Sequence, residues 1–330
     1  MVQGATRPSD GQIVVADRGS NQLKYFDSSG RFLLGAGGSG EGPGEFSSLY
    51  AVWPWAGDSV AAYDFGRRFL AVFNAEGRFI RAVSTDLTHG FAQPVGVLET
   101  GELIALLVPA VQPGPVGSIS RDTVEYVRFH PTGEFSNTIA RVPGFERYSR
   151  GFRGRVSTGR RPLGHWLFGT IGREHFYYGP GDRYELTVYG ADGRLRRLIR
   201  RAERDRLLSD EEVETHKREQ MAEAPEDPEV RREWQRLVDE APYPDSLPAY
   251  QRLLVDREEN FWVQEYERPG AESVEWSVFD PNGRWLCDVT MPTDLRVFEI
   301  GNDYVLALWR DDLDIEYVRV YGLIKPSAPS

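Results

Sequence analysis

Six arginines are concentrated between residues 147 and 161 of a chain whose formal net charge is −11. Aromatic and glycine residues separate them, which suits bidentate hydrogen bonding to a carboxylate, sulfate or phosphate. Pairing with the protein's own carboxylates, or plain solvation, is the alternative. The segment is the strongest candidate for a ligand site, and its expected binding residues are Arg153, Arg155, Arg160 and Arg161. Four residues from other strand ends and loops are predicted to contribute: Arg18, Arg67, Arg310 and Tyr178.

Tyr178 and Arg310 lie in or just after predicted strands, so packing in the core or between neighbouring sheets is the alternative for them. Two aspartates, Asp17 and Asp64, end strands at corresponding places of a repeated unit. Carboxylates there suit a metal ion such as calcium at the mouth of a central channel. The alternative is an Asx-type cap, in which each carboxylate accepts hydrogen bonds from amides of the following loop. No cofactor is expected, with calcium as the alternative.

Signatures of other chemistry are weak. The five histidines show no metal-ligand spacing, and neither a G-x-S-x-G nucleophile elbow nor a GK[ST] phosphate loop is present. The glycines between Gly35 and Gly40 match a dinucleotide fingerprint formally, but Pro43 and a predicted strand follow where a helix is needed. The single cysteine, Cys287, is expected to be a buried, inert thiol. These patterns do not demand catalysis.

A short turn that ends in glycine recurs five times between strand-like segments. Asp, Asn or Pro begins such a turn, glycine supplies a positive φ at its end, and an apolar residue then opens the next strand. The first three intervals between successive turn glycines suit four-stranded blades of ~40 to 50 residues with added loops, and the fourth interval contains an insertion. The five turns are Asp27–Gly30, Asn74–Gly77, His130–Gly133, Gly190–Gly193 and Asp280–Gly283.

The pattern Gly11-x-Ile-Val-Val-Ala-Asp17, then Leu-Lys-Tyr-Phe-Asp27-x-x-Gly30-Arg-Phe-Leu, resembles NHL-repeat proteins and related bacterial six-bladed β-propeller proteins. The glycine-rich segment 40–46 is similar to that group as well. The resemblance implies an all-β, six-bladed β-propeller of four-stranded antiparallel blades, and often a periplasmic or extracellular location after removal of a leader. Members of the group include lyases, lactone hydrolases and binding modules, so the resemblance does not fix the chemistry.

We expect one propeller domain over residues 1–330, with a helical insertion at 203–245 between blades 4 and 5 and a loose tail at 325–330. Ser209–Glu212 is a capping box, and Asp227 precedes a proline at the first helical position. Blade 6 shows only three strands, so we expect either residues upstream of Met1 or a short blade.

Strand order assigns the loops to two ends of such a ring. With strands A to D counted outward from the axis, the B–C loops and D–A connections emerge at one end, here called the loop-rich face. The A–B and C–D turns emerge at the other end, called the turn face. The glycine-rich connector 35–45, the loop 109–120, the arginine segment 147–161 and the helical insertion all fall on the loop-rich face.

We therefore predict a non-enzymatic binding module that recognises a polar or anionic ligand, a peptide or a protein at the loop-rich face. A lactonase-like, metal-dependent hydrolase or lyase is the alternative. The acidic net charge argues against nucleic acid as a partner, and the apolar runs are too short for a membrane span. A monomer is expected.

Overall fold

The computed structural model describes residues 1–85, 91–202 and 206–324, so the predicted tail and the start of the insertion lie outside the described residues. Six antiparallel sheets follow one another along the chain. Blade 1 contains β1 (Val2–Thr6), β2 (Ile13–Asp17), β3 (Gln22–Phe26) and β4 (Phe32–Gly37). Blade 2 contains β5 (Leu49–Pro54), β6 (Val60–Asp64), β7 (Phe69–Phe73) and β8 (Phe79–Ser84). Blade 3 contains β9 (Phe91–Val97), β10 (Leu103–Val108), β11 (Ile119–Phe129), β12 (Phe135–Phe152) and β13 (Arg155–Arg160).

The second half of the chain supplies the other three sheets. Blade 4 contains β14 (Phe168–Ile171), β15 (His175–Gly179), β16 (Glu185–Gly190) and β17 (Leu195–Arg200). Blade 5 contains β18 (Tyr250–Val255), β19 (Phe261–Glu265), β20 (Ser273–Phe279) and β21 (Trp285–Pro292). Blade 6 contains β22 (Arg296–Ile300), β23 (Tyr304–Arg310) and β24 (Glu316–Gly322), so it has three strands within the described residues.

The core lies between the blades. Each of six hydrophobic clusters joins two consecutive blades, which is why middle strands such as β6 and β7 are buried at every position. A sheet covered on both faces needs apolar residues on both, whereas the outer strand β8 is largely exposed. One cluster packs Ala5 and Val15 of blade 1 against Leu306 of blade 6. The first and last blades are therefore in contact, and the ring is closed.

The five predicted glycine turns are confirmed. In each, the glycine has a φ between 69° and 92°, a conformation that other residues rarely adopt. Its N–H donates to the carbonyl oxygen three residues earlier, at 2.8 to 2.9 Å. These turns connect the third and fourth strands of blades 1 to 5 at the turn face.

Blade 3 differs from the prediction. The arginine segment, placed with the loops of the loop-rich face from the sequence, belongs to a strand: β12 continues to Phe152 and pairs with β11 and β13. Pro143 lacks an N–H, and the ladder accommodates it through a register shift between Arg121 and Thr123. The predicted loop 109–120 is correspondingly shorter, since β11 begins at Ile119. The arginine segment is thus a β-hairpin that extends blade 3 beyond the loop-rich face.

The helical insertion between blades 4 and 5 is confirmed. Helix α1 (Asp210–Ala222) begins at the Ser209 capping box, and α2 (Pro228–Asp239) begins after Asp227, whose side chain accepts two backbone N–H bonds. The indole N–H of Trp234 donates to the carbonyl oxygen of Gln220 and joins the two helices. Neither helix has the length and apolar character of a membrane span within the described chain.

Candidate functional site: a cavity between the hairpin and the helices

A cavity of about 640 Å³ opens on the loop-rich face, between the β12–β13 hairpin, the two helices and the inner strand of blade 5. We call it the cap cavity. Leu237, Val238 and Ala241 at the end of the insertion form one wall, which explains why these residues are buried. Polar side chains reach it from His216, Gln220 and Gln251. Aromatic rings line much of the rest: Tyr148, Trp166, Phe168, Trp234, Tyr243 and Tyr266.

Arg161 holds the segment that follows α2 against the hairpin. Its Nε donates to the carbonyl oxygen of Pro242 at 2.7 Å, and its Nη2 donates to that of Tyr243 at 3.1 Å. Its Nη1 donates to Glu146 at 3.1 Å. Partial burial would raise the pKa of Glu146, but hydrogen bonds from His165 and the Arg161 charge outweigh this and hold that pKa below its usual value. Arg161 thus joins the hairpin to the insertion.

Replacing Arg161 with alanine is expected to lower the free energy of unfolding by about 2–3 kcal/mol, because the half-buried Glu146 loses its cation and two carbonyl oxygens lose their donor. Denaturant unfolding measures the loss, and amide exchange should rise across 206–249. Arg155→Ala is the matched control, since Arg155 is exposed on the same hairpin. Equal losses in the two variants would show that Arg161 does not join these elements.

Arg150 and Arg160 also line the cavity, but neither has a hydrogen-bond acceptor or an ion-pair partner within the described residues. The guanidinium of Arg160 stacks on Trp166, with its Cζ 3.4 Å from the ring centroid. The guanidinium of Arg150 lies over Gly159. A Cβ atom added to Gly159 would be 3.3 Å from the Cζ of Arg150. Burial, and then the charge of neighbouring Arg147, lower the pKa of Arg160. Two guanidinium groups therefore line the cavity without an anionic partner in the part of the chain that the structure describes.

Aromatic stacking fixes the hairpin arginines in orientation. Phe145 and Trp166 stack with centroids 4.4 Å apart and planes inclined by 15°, and the Cζ of Arg147 lies 4.2 Å from the Phe145 centroid. Arg147 pairs with Arg160 across the two strands. A guanidinium stacked on a ring keeps its N–H edge free for an anion, and its orientation is already restricted.

The other arginines predicted for the site lie outside the cavity wall. Arg153 is at the hairpin tip with a φ of 49°, and its backbone N–H donates to Glu233 at 3.1 Å, while Arg155 beside it is exposed. Arg18 is exposed in the B–C turn of blade 1.

Arg67 and Arg310 have protein partners. Arg67 donates to carbonyl oxygens of the glycine-rich connector, at Gly40, Glu41 and Glu45. Arg310 pairs with Glu316 at 2.9 Å. The structure therefore brings Arg160 and Arg161 of the predicted set to one cavity and distributes the others around the loop-rich face and the hairpin tip.

Tyr178 requires a correction. It is 5% exposed and packs against Tyr126 in the core between blades 3 and 4, with ring centroids 5.5 Å apart. The packing alternative is thus the one observed. The sequence reasoning did not identify Trp166 and Tyr148 as cavity residues. In a strand, side chains alternate between the two faces, so the face that Tyr148 occupies could have been predicted. That prediction first required the segment to be identified as a strand.

Asp17 and Asp64 act as caps in this structure. Asp64 is fully buried and accepts from the backbone N–H groups of Ser47 at 2.6 Å and Arg67 at 2.9 Å. Asp17 accepts from Lys24 at 2.7 Å; partial burial would raise its pKa, but this bond and others lower it well below the usual range. No group of three or more His, Cys, Asp or Glu side chains suited to a metal occurs in the described ranges. Two of the contacts are those that the Asx-type interpretation predicts: the Arg67 N–H donates to Asp64, and the Gly19 N–H donates to Asp17 at 2.9 Å.

Comparison with known proteins supports the fold. A family model, DUF5128, described as a 6-bladed beta-propeller, matches residues 5–102, and no curated protein matches the sequence. A member of the DUF4221 family from Bacteroides vulgatus is 10% identical, with a TM-score of 0.52 over 98% of this chain and 94% of that one. A candidate exported protein from Bacteroides fragilis is 14% identical, with a TM-score of 0.48 over 94% of this chain and 79% of that one.

A gluconolactonase from Xanthomonas campestris is 14% identical, with a TM-score of 0.46 over 93% of this chain and 82% of that one. A likeness at this level of identity shows the fold alone and does not assign a function to this chain. The six antiparallel sheets, the closed ring and the family match lead to one conclusion about the fold: this protein is a six-bladed β-propeller.

Proposed function

We propose that this protein is a non-enzymatic binding module that holds an anionic ligand in the cap cavity. The observation that carries the proposal is that Arg150 and Arg160 face the cavity without an acceptor among the described residues. A guanidinium withdrawn from water is costly unless it is paired, and a ligand carboxylate, sulfate or phosphate would supply the missing anion.

The size and lining of the cavity indicate the chemical class of the ligand. A cavity of about 640 Å³ lies within the range of small-molecule sites. Its rings favour a ligand with a flat or apolar body beside the anionic group, such as an acidic sugar or the acidic or C-terminal end of a peptide. Burial lowers the pKa of His216, so this side chain is neutral at pH 7 and serves as a hydrogen-bonding group.

The chain as a whole limits the partners. A net charge of −11 opposes long-range attraction to nucleic acid, so the positive cavity selects for small or locally acidic ligands. A peptide or protein with an exposed acidic end is within this class. A monomeric state and a location in the periplasm or outside the cell stay predictions.

The test is binding to arrays of acidic glycans and acidic peptides, followed by titration of the strongest ligand. The double variant Arg150→Gln/Arg160→Gln should bind about 100-fold more weakly, because two charge-assisted contacts are lost. The matched control is Arg153→Gln/Arg155→Gln, which removes the same charge from the same hairpin outside the cavity. Control binding should stay within about twofold, as expected of exposed charges.

Two results would contradict the proposal. Equal weakening of both double variants would show that binding reflects only the charge of the hairpin. Unchanged binding by the cavity variant would place the ligand elsewhere. A neutral analogue of the ligand, with its acid replaced by an amide, should lose affinity for the wild type and show little difference between the wild type and the cavity variant.

A further inference from the structure

A second cavity, of about 700 Å³, follows the axis of the ring and is lined by the inner strands of all six blades. We call it the axial channel. Phe168 lines both cavities, so the channel lies next to the cap cavity. Each inner strand is the edge of its sheet, and an edge strand presents backbone N–H and C=O groups that its own sheet does not use. The channel wall is therefore polar at the level of the backbone.

Two arginines line the channel near the starts of their strands, Arg252 on β18 and Arg296 on β22. Arg252 is half-buried, and its side chain has no hydrogen bond or ion pair within residues 1–85, 91–202 and 206–324. Arg296 is exposed at the mouth and donates to the carbonyl oxygen of Gln3 at 3.3 Å. Neither guanidinium is paired with a carboxylate of the described chain.

The other end of the channel is electrically different. Asp256 and Glu299 lie at the ends of the same two strands, and both are engaged. Glu299 pairs with Arg257 at 2.9 Å, and Asp256 accepts from the indole N–H of Trp262 at 3.0 Å. Because inner strands begin at the loop-rich face, Arg252 and Arg296 make the channel positive toward that face, while Asp256 and Glu299 toward the turn face have partners.

The charge of Arg252 persists at neutral pH. Burial, and secondarily the charge of Arg296, lower the pKa of Arg252 to about 10. A group with that pKa stays protonated at pH 7, so its desolvation and its repulsion from Arg296 are not relieved by loss of a proton. An anion between the two groups would relieve both.

We propose that the axial channel contains a second anion site, in which Arg252 and Arg296 bind a small oxyanion of the phosphate or sulfate type. The two guanidinium groups supply the charge, and backbone N–H groups on the edges of the inner strands supply further donors. The site is independent of the ligand in the cap cavity, because it uses none of the hairpin arginines.

The test is calorimetric titration of inorganic phosphate into the full chain at constant ionic strength. Arg252→Met and Arg296→Gln should each weaken phosphate binding at least tenfold. Arg284→Gln, exposed on the turn face, should leave it unchanged. Because phosphate can also enter the cap cavity, the titration is repeated in the Arg160→Gln background, where binding in the channel should persist, which separates this site from the proposed function. Without phosphate, Arg252→Met should melt at the same temperature as the wild type or higher, because an unpaired charge is removed.

The assignment would be overturned if the phosphate affinity were unaltered in Arg252→Met or weakened only in Arg160→Gln. It would also be overturned if the wild type showed no saturable binding of phosphate. A second measurement needs no variant. Crystals of the wild type soaked in selenate should show an anomalous peak between the two guanidinium groups. Peaks at other sites alone would also overturn it.

Discussion

Replacing Glu299 with alanine is expected to lower the free energy of unfolding by about 3–5 kcal/mol, because a cation close to the axis loses its partner. The Glu299 side chain is 14% exposed, and it accepts from three blades. Its Oε2 accepts from the hydroxyl of Thr6 at 2.5 Å, its Oε1 accepts from Arg257 at 2.9 Å, and the hydroxyl of Tyr304 donates to Oε1. Glu299 therefore adds a polar connection between blades 5, 6 and 1.

Denaturant unfolding of Glu299→Ala and of the control Glu134→Ala measures this effect. Glu134 is exposed in a glycine turn on the same face, so its replacement should cost less than about 0.5 kcal/mol. Similar stability of the two variants would mean that ring closure depends on the hydrophobic cluster alone. Glu299→Gln should recover part of the loss, because an amide keeps an acceptor but not the charge.

Replacing Asp64 with alanine is expected to cost about 3–4 kcal/mol. Asp64 is fully buried, and the substitution leaves backbone N–H groups of Ser47, Ser48 and Arg67 without their acceptor. Asp17→Ala is the matched control at the corresponding place in blade 1, where the carboxylate is 14% exposed and water can replace some of its donors, so about 1–2 kcal/mol is expected.

The same pair of variants distinguishes a cap from a calcium site. In the cap interpretation, stability of the wild type does not depend on a chelator, and the two variants differ as described. A chelator that destabilises the wild type as much as Asp64→Ala does would contradict the cap interpretation and favour a bound metal.

The parts of the fold that depend on residues adjacent in the sequence were predictable. A glycine turn such as Asp280–Gly283 is specified by a few adjacent residues, and the same holds for the Ser209 capping box. Both follow from local hydrogen bonds and backbone sterics. Their repetition and order led to the number of blades and to the position of the insertion.

The hairpin was not predictable in the same way. Pro143 and Gly144 normally indicate a loop, and the strand continues only because distant residues at the start of β11 pair with it. The roles of two adjacent arginines depend on that pairing, since Arg160 stacks on Trp166 while Arg161 donates to the segment after α2. Arg160 ends β13 and Arg161 follows it, so both reach the cap cavity, and the partners of Arg161 come from a segment 81 to 82 residues away in the sequence.

The site formed by Arg252 and Arg296 could not be predicted from the sequence for another reason. Arg252 stands in an apolar strand beside Leu253 and Leu254, where a sequence pattern indicates only partial burial. Its position by the axis, and the approach of Arg296 from another blade, depend on closure of the ring. Such long-range convergence has no local signal.

The cap cavity is tested most directly by amide hydrogen exchange, with and without the strongest ligand found on the arrays. Binding there should slow exchange in residues 147–168 of the hairpin and its connector and in residues 216–243 of the insertion, and should leave the five glycine turns unchanged. Slower exchange confined to the turn face, with the hairpin and helices unaffected, would contradict a ligand site between the hairpin and the helices.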